Sequence, residues 1–317
     1  MSRILLHAGL ALLAAVLTAL PAAAQNYPAR AVNMIIPFPP GGNTDLMGRA
    51  LQEELRKALG QPVIVINKGG AAGTIGIIDV IRAQPDGYTL ALTPNNPLTA
   101  QPHMRKLPYG MDSFRYICLT YYSPYVLIAG PQAPFKTFQE FLAFAKAKPE
   151  NLVYGHPGPG SQPHLGMLSV LKAIGVQALG VPFQGAGPMS HALLAGTVMA
   201  IAETPAVAQA SNLTVLAALT EERIPALPDV PTMKELGYAA LGFTAGGLIA
   251  PKDTPADAAA TLEKACAQAT ATAEYKAIAE RLKAEPRYLA GDAFRKLFDE
   301  DSARAAQAVK DAGLAAQ

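Results

Sequence analysis

Short apolar runs rich in β-branched residues alternate with amphipathic stretches of helix length along most of this chain, and no other feature narrows its fold so far. "VNMIIPF" reads as a strand, and "TDLMGRALQEELRKALG" as a helix stopped at Gly60. "PVIVINK" follows as a strand, "GTIGIIDVIRAQ" as a helix halted by "PDG", and "YTLALT" as a third strand. Strand, helix, strand in repetition requires crossover connections, which align the strands in parallel and place helices on both faces of the sheet.

After "FRYICLTYY" the rhythm restarts at "YVLIAG" and runs through "LVYGHPG", "ALGVPF" and "VMAIAE" to "LTVLAALT", a second α/β unit. From about Phe243 the chain becomes Ala-rich and helical, too one-sided to stand alone, so these helices are expected to pack back onto the first unit. The expected class is α/β with two domains, each a mainly parallel sheet flanked by helices. Domain 1 takes residues 25–123 plus 234–317 and domain 2 residues 124–233. Connections near Tyr121–Pro124 and Ala218–Pro231 would be hinges, with the ligand cleft between the domains.

Met1 to Ala24 has one basic residue, Arg3, then an apolar run from Ile4 to Leu20, then "PAAAQ". That pattern reads as a cleavable secretory signal, which makes the mature protein periplasmic. The formal charge of +2 on 317 residues generates no field suited to nucleic acid. Cys118 and Cys266 are the only cysteines; an oxidising compartment permits a bond between them, and two isolated buried thiols fit the sequence as well.

Ligand contacts in such sheets come from loops at the carboxyl ends of strands. Three of these are glycine-rich and open onto helices: "PFPPGGN" (Phe38, Pro40, Gly41, Gly42, Asn43), "KGGAAGT" (Ala71, Ala72, Gly73, Thr74) and "GHPGPGSQPH" (His156, Gly158, Gly160, Ser161, His164). Bare backbone and helix N-termini suit an anion such as a carboxylate, held by main-chain N–H groups without a cofactor. Asn43 or Thr44 would cap the first helix, and Asp45 would pair with Arg49 one turn on. Thr74 and Ser161 read as caps whose hydroxyls are shared with a ligand. Asn95, after "YTLALT", and Glu203, ending "VMAIAE", sit where pocket residues sit; Glu203 suits an amino or hydroxyl group, the alternative being a carboxylate facing solvent.

Catalytic signatures are missing. "GPGSQP" is no nucleophile elbow, because Pro163 replaces the second glycine. There is no phosphate loop or dinucleotide fingerprint, and His156, His164 and His191 do not form a metal pair, so neither a metal nor a catalytic residue is assigned.

These segments, together with "AQPDGYTL", "LPYGMDSF", "VPFQGAGP" and "RIPALPDVPTMKELGY", follow one another in an order that resembles the Bug-type periplasmic solute-binding receptors, also called tripartite tricarboxylate transporter receptors. The resemblance covers nearly the whole chain after Ala24. It implies a two-domain Venus flytrap without catalysis, a monomer that binds a small carboxylate and passes it to the permease subunits of an inner-membrane transporter. It also implies one wall from Phe38–Asn43 and Ala71–Thr74, and another from His156–Ser161, His164, Gln184 and Gly185. His156 stands where many relatives carry Ser, and Pro157 and Pro159 stiffen its loop. Two other readings use the same residues: a secreted hydrolase employing Ser161 with His164, and a ligand sensor for a membrane signalling protein.

Overall fold

The computed structural model describes residues 27–315; the expected signal segment, Met1 to Ala24, lies outside the described residues. The chain starts with β1 (Val32–Ile36), β2 (Val63–Asn67), β3 (Thr89–Pro94) and β4 (Phe114–Pro124). A second group follows: β5 (Val126–Ala129), β6 (Val153–His156), β7 (Leu179–Pro182), β8 (Ala200–Glu203) and β9 (Thr214–Ala218). The chain then returns through β10 (Phe243–Pro251) and β11 (Glu285–Ala290) to the first group. Two sheets result, ordered β11-β4-β10-β3-β1-β2 and β7-β6-β8-β5-β9.

Both sheets are mixed. β1, β2 and β3 are mutually parallel, as are β6, β7 and β8, which is the part that the alternating pattern predicts. β10 runs antiparallel to β3 and β4, and β5 antiparallel to β8 and β9, so the parallel share is smaller than expected. The cause is the crossing: β4 continues into β5 of the other sheet through the single residue Tyr125, and β10 comes back beside it, so these strands enter in the reverse sense.

The helices are α1 (Asn43–Leu59), α2 (Thr74–Arg82), α3 (Asn96–Thr99), α4 (Gln101–Met104), α5 (Phe138–Ala147) and α6 (Gln162–Ile174). Beyond them come α7 (Ala186–Leu194), α8 (Pro205–Ala210), α9 (Ala256–Ala271), α10 (Ala273–Arg281) and α11 (Gly291–Asp311). α1 buries Met47, Leu51 and Leu55 on one stripe and ends at Gly60 in the left-handed conformation, which spares a side chain the steric cost of that turn. Gly48 lets it lie close to the sheet, since a Cβ there would come within 2.5 Å of Ile36. α9 sets Leu262, Ala265 and Cys266 into the core on one face of the first sheet, under β1, β3 and β4, and α11 sets Phe294 and Phe298 into a separate core on the other face. Cys118 of β4 and Cys266 of α9 form a disulfide across 148 residues, settling the alternative left open by the sequence.

The crossing is a small ribbon of main-chain hydrogen bonds. Tyr125 N–H donates to Gly242 O (2.8 Å), Leu219 N–H to Tyr125 O (2.9 Å) and Gly242 N–H to Leu219 O (3.0 Å). The proline-rich stretch after Ala218, expected as a hinge, stays with the second sheet. Along it Ala218 N–H donates to Pro231 O and Met233 N–H to Ala218 O, Arg223 ties to Glu235, and Met233, Leu236, Tyr238 and Ala240 join the second core. The chain passes over at Leu241–Phe243. Among the described residues no helix is long and apolar enough to cross a membrane.

Candidate functional site

The carboxyl ends of β1, β2 and β3 and those of β6, β7 and β8 flank this ribbon, and the glycine-rich loops stand on them. On the first sheet the loops after β1 and β2 form one wall. Asn67 donates to Phe38 O (3.1 Å) and to Asp45 (2.8 Å), and the Phe38 ring closes on Gly73, where a Cβ would approach it to 3.1 Å and Pro97 to 2.7 Å. Phe38 and Asn43 are half-buried, while Pro40, Gly41, Gly42, Ala71 and Ala72 are exposed.

Hydrogen bonding corrects several expectations here. Gly41 does take a left-handed φ of +87°, but its N–H donates to Asp45 (2.9 Å) and is not free for an anion. Asp45 also pairs with Arg49 (3.1 Å), as the sequence predicts. Burial pushes this carboxyl up, yet the hydrogen bonds from Arg49, Gly41 and Asn67 outweigh it and hold the group below its usual range. α1 is capped by Gly42 without any side-chain cap, because Thr44 turns inward to Tyr121 (3.0 Å). The first-turn N–H groups of α1 are therefore left for water or a ligand.

Beside them, Gly70, Ala71, Ala72 and Gly73 all have positive φ, the two alanines at +47° and +57°. Left-handed alanine costs about 1–2 kcal/mol, so this turn is held by its surroundings. Thr74 is not the cap; its hydroxyl donates to Ala71 O (3.0 Å) inside the turn and is buried.

The second wall is organised by rings. His156 stacks on His164 with centroids 3.9 Å apart, and Tyr154 continues the stack. His164 Nδ1 accepts from Gly160 N–H (3.0 Å) and Nε2 meets the Tyr154 hydroxyl (3.3 Å). Burial, then the neighbouring His156, lower its pKa to about 3, so it is neutral and holds the loop from behind, a correction to its expected contact with ligand. Ser161 is the cap of α6: its oxygen accepts from His164 N–H (3.4 Å) and its hydroxyl donates to Gly158 O (2.7 Å). The imidazole nitrogens of His164 face Gly160 and Tyr154, so serine and histidine do not make the nucleophile–base pair a hydrolase needs.

His156 is buried, its Nδ1 has no protein partner, and burial pushes its pKa down. Gly158 (φ +118°) and Gly185 (φ +109°) border open space, with nothing within 4 Å of an added Cβ, and Gln184 is exposed. Gly160 does not: a Cβ there would meet Met104 Sδ at 1.9 Å, so it is a packing glycine pressed against the first sheet's side.

Asn95 is fully buried, donating to Asp301 (2.8 Å) and accepting from Ala245 N–H (3.4 Å), so it braces the floor and does not face a ligand. Glu203 is also buried, contrary to the solvent-facing alternative. Its Oε1 accepts from Thr204 N–H (2.8 Å), no ion pair reaches it among the described residues, and burial raises its pKa to about 7.

A network that the motifs do not reveal joins the walls. Asp301 on α11 accepts from Asn95, from Thr99 (2.7 Å) and from Gln162 (3.3 Å) in the first turn of α6. Asn96 donates to Gly160 O (2.7 Å). The one sequence signal for Asp301 is its place on the apolar stripe Phe294, Phe298, Ala305 of an otherwise amphipathic helix. On the far side of α6 lies a recess of about 1650 Å³, bounded by α11 and residues 234–243. Of the expected wall residues it includes only His164, and its charges pair off as Lys172–Asp311, Lys234–Glu221 and Arg304–Asp301, so the glycine-lined cleft is the better candidate.

Comparison with known proteins bears on the family and the fold. The profile of the tripartite tricarboxylate transporter family receptor matches residues 47–314. A UPF0065 protein from the gbd 5′ region of Cupriavidus necator is 35% identical over 306 residues, 94% of this chain and 93% of that protein. Protein BugT of Bordetella pertussis is 37% identical over 264 residues, 80% of each chain. The structure of MatC from Rhodopseudomonas palustris with bound malate superposes with a TM-score of 0.77 at 31% identity, covering 89% of this chain and all of that one. The chain belongs to the tripartite tricarboxylate transporter family of receptors, the Bug-type solute-binding proteins.

Proposed function

We propose that this receptor captures a small carboxylate between its two sheets and delivers it to the permease subunits of an inner-membrane tripartite tricarboxylate transporter. The observation that carries the reading is the pair of bare glycine-rich rims, Gly41–Asn43 with Ala71–Ala72 on one side and Gly158 with Gly185 on the other, set on strand ends across a hydrogen-bonded crossing. MatC, which shares the fold and the family, holds malate. In this reading the protein is a periplasmic monomer, exported by its N-terminal segment, without catalysis. Two bodies close on the ligand, the border expected at residue 233 moving to the crossing at Leu241, and closure is a population shift drawn by the ligand's preference for the closed state.

A dissociation constant in the micromolar range corresponds to about −8 kcal/mol, and linkage raises the melting temperature with the logarithm of ligand concentration. Differential scanning fluorimetry against aliphatic and aromatic mono- and dicarboxylates checks this. A full panel of acids without one stabilising hit would sink the reading.

A further inference from the structure

Among the described residues, Glu203 is a buried carboxyl without a cation beside it. The register Tyr154 opposite Ala200 brings the end of β8 level with that of β6, so Glu203 sits on the same sheet edge as His156. Its antiparallel partner is Val126, the residue after Tyr125, which puts it at the foot of the crossing. It lies close enough to Tyr125 to push that phenol up, second only to burial itself. Among the described residues it is held by its neighbour Thr204 alone.

Burying a carboxylate with so little support is costly unless a partner arrives. Among the described residues no cation is placed to do so. None of the expected wall residues is Lys or Arg, and the two cations near the first wall are engaged, Arg49 by Asp45 and Asn67 and Lys68 by Asp79. A ligand carboxylate therefore meets main-chain N–H groups and the unpartnered His156 Nδ1 in place of a side-chain cation, and a second ligand group that meets ionised Glu203 is one that donates.

We propose that Glu203 selects the ligand, and that this ligand is a carboxylate carrying a hydroxyl or amino donor on its carbon chain, the donor bonding to Glu203. The inference rests on the carboxylate-capture reading above. An unsubstituted acid offers Glu203 no donor, and a bare carboxylate placed against the ionised form is repelled.

Matched sets of probes test it: propionate, lactate and alanine, then succinate, malate and aspartate, titrated calorimetrically into the wild-type protein, Glu203→Gln and Glu203→Ala. A hydrogen bond to a charged group is worth roughly tenfold or more in affinity. The expected result is that the donor-bearing members of at least one set bind wild type at least about tenfold tighter than the unsubstituted acid, and that Glu203→Ala abolishes the preference. Glu203→Gln tells the donors apart, since an amide oxygen still accepts from a hydroxyl but offers no charge to an ammonium. Equal affinity across both sets in wild type overturns the proposal, as does an equal loss for substituted and unsubstituted acids in a folded Glu203→Ala. If none of these acids binds wild type, the carboxylate reading itself fails.

Discussion

The two rims of the cleft are built on opposite principles. On the first, everything that shapes the loop is local: Asp45 gathers Gly41, Arg49 and Asn67, Phe38 closes on Gly73, and four successive residues take left-handed backbone. On the second, the loop is braced by a ring stack behind it and by the opposite side of the molecule, through Asn96 to Gly160 and Asp301 to Gln162. The first rim keeps its shape whatever the second sheet does. The second rim is shaped partly by contact with the first, so its geometry depends on how the two sheets are set against each other.

The harshest test of this contrast is the disulfide, which staples the first sheet and has no counterpart in the second. A disulfide closing a long loop contributes about 2–5 kcal/mol, so the Cys118→Ala/Cys266→Ala variant should lose that much. Calorimetry should show the loss in the unfolding of the first sheet alone; a uniform loss would mean that the two sheets unfold as one.

Glycine substitutions on the two rims should separate stability from binding. Gly160→Val meets both a left-handed backbone and Met104, and should cost about 2–3 kcal/mol in denaturant unfolding along with ligand affinity. Gly42→Val has an ordinary φ and only Pro39 O within 4 Å, at 3.9 Å, so it should keep stability within about 1 kcal/mol while a branched side chain occludes the anion's place. Comparable unfolding by both variants would erase the distinction between the rims.

Acid should act on the second rim. His164 is neutral when folded, its pKa at about 3 against 6.5 when unfolded, so the unfolded chain binds the extra proton below about 6.5 and stability falls with pH towards 3 at up to about 1.4 kcal/mol per unit. Glu203, raised from 4.5 to about 7, works in the other direction: its folded form keeps a proton that the unfolded chain loses, so stability falls as pH rises from about 4.5 to 7. The two slopes oppose each other between about 4.5 and 6.5; below that window His164 is joined by Asp45 of the first rim, whose lowered pKa also costs stability as pH falls. Unfolding free energies across pH 3–8 should then show a flat region with an acid limb, the limb weakened in His164→Gln. Smallest of all, Ala72→Gly relieves a left-handed alanine but loosens the unfolded chain, so stability should move by less than about 1 kcal/mol; a larger drop would mean that the alanine side chain packs.

Features fixed by neighbours in the chain were legible before any coordinates. The end of α1 at Gly60, the Asp45–Arg49 pair and the Ser161 cap each need a few residues of context, and each stands where the pattern puts it. What depended on distant contacts was not. Gly160 reads as one more loop glycine until Met104 is set against it, and His164 reads as a wall residue until Tyr154 and Gly160 claim both nitrogens. The antiparallel entry of β10 follows from a crossing that no periodicity encodes. Asn95 looked like a pocket residue because it ends a strand, and Asp301, more than 200 residues later, is what turns it inward.

The crossing at Tyr125, Leu219 and Gly242 behaves as a leaf spring. Main-chain hydrogen bonds between adjacent strands resist sliding within the ribbon's plane, whereas bending out of that plane leaves each bond nearly unchanged. Relative motion of the sheets is thereby channelled into one soft direction, and the rims cannot slip sideways past one another. On the proposed reading, a solute that dissociates and returns meets the same two edges in the same alignment, so the search at each encounter is for a position along the groove and not for a new pairing of its sides.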